Sequence, residues 1–134
     1  GAAAPAASGD CVLPAVAHID APLAGARVDA PFEVSGWAVK DGSGVAEVVI
    51  TIDGEPVSRA RYGLPNQWVV ERFLRGASRD PAQPRIGFTA TVDPATLAPG
   101  RRWLGMEIIG ADGSVERWAE QPVWIAPSRP ASAP

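Results

Sequence analysis

The sequence predicts an all-β chain, folded as an antiparallel β-sandwich of about seven strands. Turn signals recur at intervals of roughly eight to twelve residues along the middle of the chain, which is the spacing typical of a sandwich. The segments between the turns are rich in β-branched and aromatic residues, with apolar side chains at alternate positions. A length of 134 residues suits one domain and is too short for two ordinary ones.

The two ends of the chain differ from this middle. Residues 1–13 are rich in Ala, Pro, Ser and Gly and are predicted to be a linker, and residues 127–134 are predicted to be a flexible tail. The sandwich itself is predicted over residues 14–126. Cys11 is the only cysteine, so no internal disulfide or Cys-based metal site is expected. Because no leader pattern precedes it, we expect a piece of a longer protein.

Residues 34–54 organise the first half of the predicted sandwich as two strands and the turn between them, after a short strand at residues 16–19. Val34 and Trp37 have opposite parity. We expect a bulge at Gly36 to turn both side chains into the core, since one extra residue reverses the alternation.

The third strand, residues 45–52, is expected to direct its even-numbered side chains inward: Val48, Ile50 and Ile52. The Asp53-Gly54 pair favours a type I′ turn into a fourth strand at residues 55–61. Residues 62–84, here called the excursion, break the pattern. Trp68, Val69, Phe73 and Leu74 recur there at nearly helical spacing, which predicts one or two helical turns pinned onto the sandwich.

Three more strands are predicted at residues 85–92, 102–109 and 115–125. Asp93 is expected to cap a single turn that Pro94 begins. Pro122 inside the last strand implies an edge or a bulge. Two sets of side chains are expected to share the inner face: Ile86, Phe88 and Ala90 on the first of these strands, and Leu104, Met106 and Ile108 on the second.

A series of motifs follows one another along residues 16–115. In order, they are Ile19-Asp20-Ala21-Pro22, Gly25-Ala26-Arg27-Val28, Val34 to Asp41, Gly44-Val45, Val48 to Gly54, Tyr62-Gly63, Gly87-Phe88 and Pro99-Gly100. Together they resemble a bacterial immunoglobulin-like (Ig-like) domain family with a Gly-Trp-Ala motif and Asp-Gly turns. The resemblance implies an Ig-like antiparallel β-sandwich that serves as a non-catalytic module of larger secreted or membrane proteins, including glycosyltransferases and hydrolases.

The chain departs from that family in two places. Asn66-Gln67-Trp68 and Glu71-Arg72-Phe73 replace a short aspartate and tyrosine run in the excursion, and Trp118 and Trp124 are added near the end. The roles that these two segments have in the family are therefore not carried over to this chain.

No strong catalytic motif is present in the sequence. His18 is the only histidine, and there is no nucleophile elbow, zinc-protease motif or phosphate-binding loop. Asp41, Asp53 and Asp112 each precede a glycine, where their side chains are expected to stabilise the turn itself. We therefore expect no enzyme activity, no catalytic residues, no metal ligands and no cofactor.

Five tryptophans are the residues that bear most on function. Trp37 is interpreted as core, packed between the sheets. By parity Trp103 faces outward, while Trp118 and Trp124 share a face. Exposed aromatic side chains suit either a protein interface or the flat face of a sugar. The candidate binding residues are Trp68, Phe73, Trp103, Trp118 and Trp124. Alternatively, the tryptophans cover one another, or they lie under the excursion as a satellite cluster.

Net charge is −3, from 12 basic and 15 acidic residues scattered along the chain. This distribution lacks the basic stripe of a nucleic-acid-binding protein, and no apolar run is long enough to cross a membrane. We predict a non-catalytic, extracytoplasmic accessory module, periplasmic, secreted or at the cell surface. It is expected to dock onto other domains of its parent protein, or onto a protein partner, through the Trp-bearing face and the excursion. The alternative is a carbohydrate-binding module that uses the same tryptophans.

Overall fold

The computed structural model describes residues 13–127, which form nine β-strands. The predicted linker and tail, and Cys11, lie almost wholly outside these residues. A short α-helical turn, Gln67–Val69 (α1), runs into a π-helical turn, Val70–Leu74, and a 3₁₀ turn spans Pro94–Thr96. In chain order the strands are Ala15–Ala21 (β1), Ala26–Val28 (β2), Phe32–Lys40 (β3), Val45–Ile52 (β4), Glu55–Arg59 (β5), Arg61–Pro65 (β6), Arg85–Val92 (β7), Gly100–Gly110 (β8) and Val115–Ile125 (β9).

The strands build two sheets, with the orders β1-β3-β7-β6 and β2-β9-β8-β4-β5. All neighbouring pairs are antiparallel except β2 with β9. In Ig domains, strands A, B, E and D form one sheet and strands C, F and G the other. Strands β1, β3, β7 and β6 reproduce the first set, and β4, β8 and β9 the second. The predicted Ig-like antiparallel sandwich is confirmed.

Two strands exceed the seven that the sequence predicts. Residues 26–28 form β2, a short strand that pairs in parallel with β9. The predicted strand at residues 55–61 ends at Arg59 as β5, beside β4. The predicted excursion begins too early, because residues 62–65 belong to β6, which crosses to the other sheet and pairs with β7. Residues 66–84 are the part of the excursion that lies outside the sheets. Both sheets thereby gain an edge strand.

The space between the sheets holds the main hydrophobic core. Val48 and Ile50 of β4 and Leu104 and Ile108 of β8 are fully buried there. The predicted alternation along both strands is confirmed. Burying each such side chain stabilises the fold by about 1.5–3 kcal/mol, so the alternation strongly favours this register of β4 against β8 over a one-residue slip.

Two predicted turns have the expected geometry. Asp53 and Gly54 both adopt positive φ, 53° and 84°, as the central residues of a type I′ turn do. The Asp93 carboxylate accepts a hydrogen bond from the Ala95 N–H at 3.0 Å, and Pro94 is the first residue of the 3₁₀ turn. Both predictions are confirmed.

Strand β3 passes through Gly36 without a bulge, contrary to the prediction. Every residue from Phe32 to Trp37 pairs in continuous register with β7. The register shift lies instead in β1, between Ile19 and Ala21. Alternation along β3 is therefore strict, and it places apolar side chains on both faces of the sheet.

Trp37 lies on the outer face of the four-stranded sheet, so its predicted position between the sheets is wrong. Val34 and Ala38 belong to the inter-sheet core, whereas Trp37 and Val39 belong to a second, separate cluster. The second cluster is buried because the excursion covers it and contributes Val69 to it. The predicted helical turns of the excursion are confirmed, and their apolar side is what closes this cluster.

Two further bulges change which side chains share a face of their sheet. The register of β6 against β7 shifts on both sides of Leu64, and Ile86 joins the second cluster while Phe88 remains in the main core. The expectation that Ile86 shares a face with Phe88 and Ala90 is wrong for this reason.

In β9, an extra residue lies opposite the stretch between Leu104 and Met106 of β8. Pro122 itself pairs in register with Trp103, so the bulge precedes the proline in the chain and does not include it. The extra residue reverses the alternation between Trp118 and Trp124, so the prediction that these two side chains share a face is wrong.

Candidate functional site

The predicted binding residues separate onto opposite faces of the sandwich. Trp68 and Phe73 lie on the excursion and are 57% and 62% exposed. Trp103 and Trp124 project from the outer face of the five-stranded sheet and are 40% and 45% exposed. Trp118 is half-buried and packs against the main core. The Trp-bearing face and the excursion are therefore two separate surfaces, and the role of these residues in binding stays a prediction.

We call the outer face of the four-stranded sheet, together with the excursion packed on it, the excursion face. Four aromatic rings form a continuous row there. Trp68 and Phe73 meet edge to face, with ring centroids 5.3 Å apart. Phe73 is 6.2 Å from Trp37, and Trp37 is 6.3 Å from His18. These separations are typical of interacting aromatic pairs, so the buried Trp37 supports the exposed Phe73.

An apolar groove of about 280 Å³ lies beside this row. One wall is formed by Leu13 and Val16 at the start of β1, and the other by Phe73 and Leu74 of the excursion. Leu13 and Val16 are themselves large, exposed apolar side chains. The remaining lining residues are Pro14, Val39, Asp41, Ala77 and Ser78. We call this feature the apolar groove.

The first wall of the groove is fixed by Lys40, the only lysine of the chain. Lys40 is 1% exposed, and its Nζ lies 2.7 Å from Glu116 Oε2. Nζ also donates to the carbonyl oxygen of Leu13. Both Glu116 oxygens accept from the Ala15 N–H at 3.0 Å. A buried ammonium needs such partners, and these tie the start of β1 to β3 and β9.

The second wall is fixed by two aspartates. Asp41 Oδ1 accepts from the Ser78 hydroxyl at 3.0 Å and from the Arg79 N–H at 2.7 Å. Asp80 accepts from the Lys40 N–H at 2.7 Å. Contrary to the prediction, the Asp41 carboxylate binds the far end of the excursion rather than its own turn. Both walls of the groove are thus held by neighbouring residues at the end of β3.

We call the outer face of the five-stranded sheet the open face. Trp124 on β9 lies opposite Arg101 on β8 and opposite Arg27 on β2. The Arg101 guanidinium lies 5.2 Å from the ring centroid of Trp103, within the range of a cation–π interaction. These four residues, Trp103, Arg101, Trp124 and Arg27, are here called the Trp–Arg strip.

Trp103 is held by the turn between β4 and β5. The Asp53 N–H donates to the Trp103 carbonyl oxygen at 2.8 Å, and the Trp103 N–H donates to Asp53 Oδ1 at 3.0 Å. Asp53 Oδ2 also lies 3.3 Å from the Arg102 guanidinium. The Asp53 side chain therefore joins its turn to β8, which is more than the predicted stabilisation of the turn alone.

Most arginines around the open face are neutralised by a carboxylate. Arg59 lies 2.6 Å from Glu47, and Arg117 lies 3.2 Å from Glu107. By contrast, neither Arg101 nor Arg27 forms an ion pair within residues 13–127. The Trp–Arg strip therefore carries two guanidinium charges that the described part of the chain leaves unpaired.

A shallow cavity of about 510 Å³ adjoins the strip. Trp103 forms part of its wall, and Thr51, Glu107 and Glu120 bring polar groups to it. The other lining residues are Asp53, Gly54, Met106, Arg117 and Trp118. Its mixture of an exposed indole with hydroxyl, carboxylate and guanidinium groups contrasts with the apolar groove on the other side of the molecule.

His18 and Tyr62 each make a defined polar contact. His18 Nε2 lies 3.5 Å from Asp20 Oδ1, and both side chains are exposed. The Tyr62 hydroxyl donates to the Ala38 carbonyl at 2.7 Å, and burial, with the Asp80 carboxylate, raises the pKa of Tyr62 well above its ordinary value.

Asp112 supports its own turn, as predicted. Its Oδ1 accepts hydrogen bonds from the Ser114 hydroxyl at 2.6 Å and the Ser114 N–H at 3.0 Å. These bonds lower the pKa of the Asp112 carboxyl. Over residues 13–127, no group of three His, Cys, Asp or Glu side chains is placed to hold a metal ion. None of the helical turns in the described range has the length and apolar character needed to cross a membrane.

The solved structures that are similar to this chain include the following two. The fibronectin(III)-like modules of CbhA from Clostridium thermocellum are 21% identical, with 83% of this chain and 96% of that chain covered and a TM-score of 0.49. CopC from Methylosinus trichosporium OB3b is 18% identical, with 86% and 98% covered and a TM-score of 0.40. No protein-family model and no curated protein matches. Because these similarities are low, the fold is assigned from the strand order of the two sheets.

Sequence reasoning missed the arginines of the strip and the first wall of the groove. The signal for Val16 and His18 was present, since they alternate with Ala15, Ala17 and Ile19, which belong to the core. Arg101 alternates with Trp103 along β8, so parity could have placed it on the same outward face. Arg27 could be found only once β2 was known to pair with β9. A three-residue strand leaves too little periodicity for such a prediction.

Proposed function

We propose that this domain is a non-catalytic, extracytoplasmic accessory module that docks onto a protein surface through the apolar groove. The partner is another domain of its parent protein or a separate protein. The observation that carries the proposal is the pair of large exposed rings, Trp68 and Phe73, beside a groove whose other wall, Leu13 and Val16, is also apolar and exposed.

Several properties of the groove suit protein contact. Exposed apolar patches of this kind mark interaction surfaces, and aromatic side chains supply most of the binding energy at protein interfaces. The walls are held by hydrogen bonds that Lys40 donates and that Asp41 and Asp80 accept, so little ordering is required when a partner binds. A preorganised apolar site binds more tightly because its side chains have lost their conformational entropy on folding and lose little more on binding.

Membership of the bacterial Ig-like family with the Gly-Trp-Ala motif is part of this proposal. Each residue of the motif has its own structural role. A Cβ on Gly36 would overlap the His18 carbonyl oxygen and meet the Phe88 ring. Trp37 is the floor beneath the excursion, and Ala38 faces the core. The parent protein, by the same resemblance, is a secreted or membrane protein such as a glycosyltransferase or hydrolase.

Site-specific photo-crosslinking tests the docking role. A benzoyl-phenylalanine placed at Phe73 is expected to capture a protein adduct in native cells, and the same group at Trp124 on the open face serves as the matched control. The captured partner, once purified, is expected to bind Phe73→Ser roughly thirtyfold more weakly than the natural chain, as for an interface hot spot. Adducts formed equally at both positions, or unchanged affinity for Phe73→Ser, contradict the proposal.

A second candidate function, carbohydrate binding, is favoured by the open face. Trp103 and Trp124 are both exposed there, and the adjoining cavity presents Thr51 and Glu120 to a ligand. Sugars combine flat apolar faces with hydroxyl groups, which such a mixture of indoles and polar side chains can contact. The two functions use opposite faces, so they are compatible within one module.

A further inference from the structure

We propose that the Trp–Arg strip binds a carboxylated polysaccharide, a polymer that contains uronic acid residues. Trp124 stacks on a sugar ring, while Arg101 and Arg27 bind carboxylates on either side of it. The proposal rests on the carbohydrate-binding role suggested for the open face, and it is independent of docking at the apolar groove.

The register of the sheet places one indole between two cations. Trp124 pairs with Arg101 on one side and with Arg27 on the other. Neighbouring strands lie about 4.8 Å apart, so the three side chains form a short row across the sheet. Strand β9 is hydrogen-bonded to both neighbours at this point, which presents the indole on a rigid support. Binding groups held on strands are positioned more accurately than groups on loops.

The charges of the strip are available to a ligand. The cation–π contact with Trp103 orients the Arg101 guanidinium without neutralising it. Arg27 shares a surface depression with Asp29 but forms no ion pair with it. Guanidinium groups bind carboxylates through two parallel hydrogen bonds, which a uronic acid can supply at each charged sugar.

The surroundings of the strip argue for this polyanion over others. The chain has a net charge of −3, and Glu120 is exposed beside the strip. A nucleic acid requires a basic groove that follows its phosphates, and two guanidiniums do not make one. A polymer with carboxylates spread over flat sugar rings matches both the modest charge and the exposed indole.

Titration with polygalacturonate tests the proposal, with tryptophan fluorescence and calorimetry as readouts. The fully methyl-esterified polymer is the matched ligand control, because it keeps the backbone and loses the charge. We expect the esterified polymer to bind at least tenfold more weakly. Trp124→Ala, Arg101→Gln and Arg27→Gln are each expected to weaken polygalacturonate binding about tenfold, while Arg59→Gln and Trp68→Ala leave it unchanged.

The possible results separate the two proposals for this face. Equal binding of both polymers overturns the uronate assignment and leaves neutral-sugar binding standing. Binding of neither polymer overturns the uronate proposal and counts against carbohydrate binding, without bearing on the groove. Tighter binding of oligo(dT) or polyglutamate, or natural affinity in Arg101→Gln, also overturns the assignment. The substituted residues are exposed, and unchanged thermal unfolding of each variant shows that it folds.

Discussion

The two outer faces of this sandwich differ in whether their tryptophans are buried or exposed. On the excursion face, Trp37 is buried because the helical turns of the excursion cover it, and the apolar groove forms beside those turns. On the open face, no element within residues 13–127 covers Trp103 or Trp124, and arginines surround them instead. The excursion creates an apolar groove that suits protein contact. The open face has no such covering segment within residues 13–127, and its exposed, charged surface suits a polysaccharide.

The largest expected difference between the faces is in stability. Trp37→Ala is expected to lower the free energy of unfolding by about 3–5 kcal/mol, because it empties the space beneath the excursion. Trp124→Ala, on the open face, is expected to lower it by less than about 1 kcal/mol. Urea denaturation measures both. Similar values for the two variants contradict the assignment of Trp37 to a buried outer cluster.

A smaller effect is expected from two ion pairs that differ in burial, one between the sheets and one on the open face. Lys40→Met leaves the Glu116 carboxylate without its cation, and it is expected to cost about 3 kcal/mol, near the lower end of the range for a broken buried pair because Glu116 keeps some solvent contact. Arg59→Met breaks the exposed pair with Glu47 and is expected to cost less than about 1 kcal/mol.

The same comparison has a local readout. Loss of Lys40 releases the Leu13 carbonyl, so the start of β1 is expected to become accessible to protease in Lys40→Met and to remain protected in Arg59→Met. A Lys40→Met variant with full stability and an intact β1 would show that the ammonium does not hold the groove wall.

The smallest effect concerns Tyr62, the only tyrosine. Its folded-state pKa is raised by burial and by Asp80, so the stability it contributes is present below the ordinary tyrosine pKa of about 10 and is lost as pH rises above that value. We expect phenolate absorbance to appear only as the chain unfolds in alkali. Tyr62→Phe loses the hydrogen bond to Ala38 and is expected to cost about 1 kcal/mol. A phenolate signal that appears near pH 10, at the ordinary tyrosine pKa and with the fold intact, would contradict the burial of this hydroxyl.

Local patterns were sufficient to predict most strands. Residues 85–92 and 115–125 are strands with the predicted bounds, and the Asp53-Gly54 and Asp93 turns have the predicted geometry. In each case the signal is carried by neighbouring residues, through alternation or through glycine and proline geometry. Such signals do not depend on what packs against the strand.

The faces of the tryptophans could not be predicted in the same way. Parity identifies which side chains share a face only while the register is continuous, and bulges in β7 and β9 moved Ile86 and Trp118 from their expected positions. The apolar character of Trp37 fits either side of the four-stranded sheet, because β3 buries side chains on both faces. The sequence alone does not show that the excursion folds back to make a second buried cluster.

Hydroxyl-radical footprinting tests the division between the two faces most directly, because it reports the exposure of each ring separately. With saturating polygalacturonate, oxidation of Trp103 and Trp124 is expected to fall severalfold, while oxidation of Trp68 and Phe73 stays unchanged. With the partner captured at Phe73, the pattern is expected to reverse. Protection of all four rings by one ligand, or of Trp68 and Phe73 by the polysaccharide, would contradict the assignment of separate roles to the open face and the excursion face.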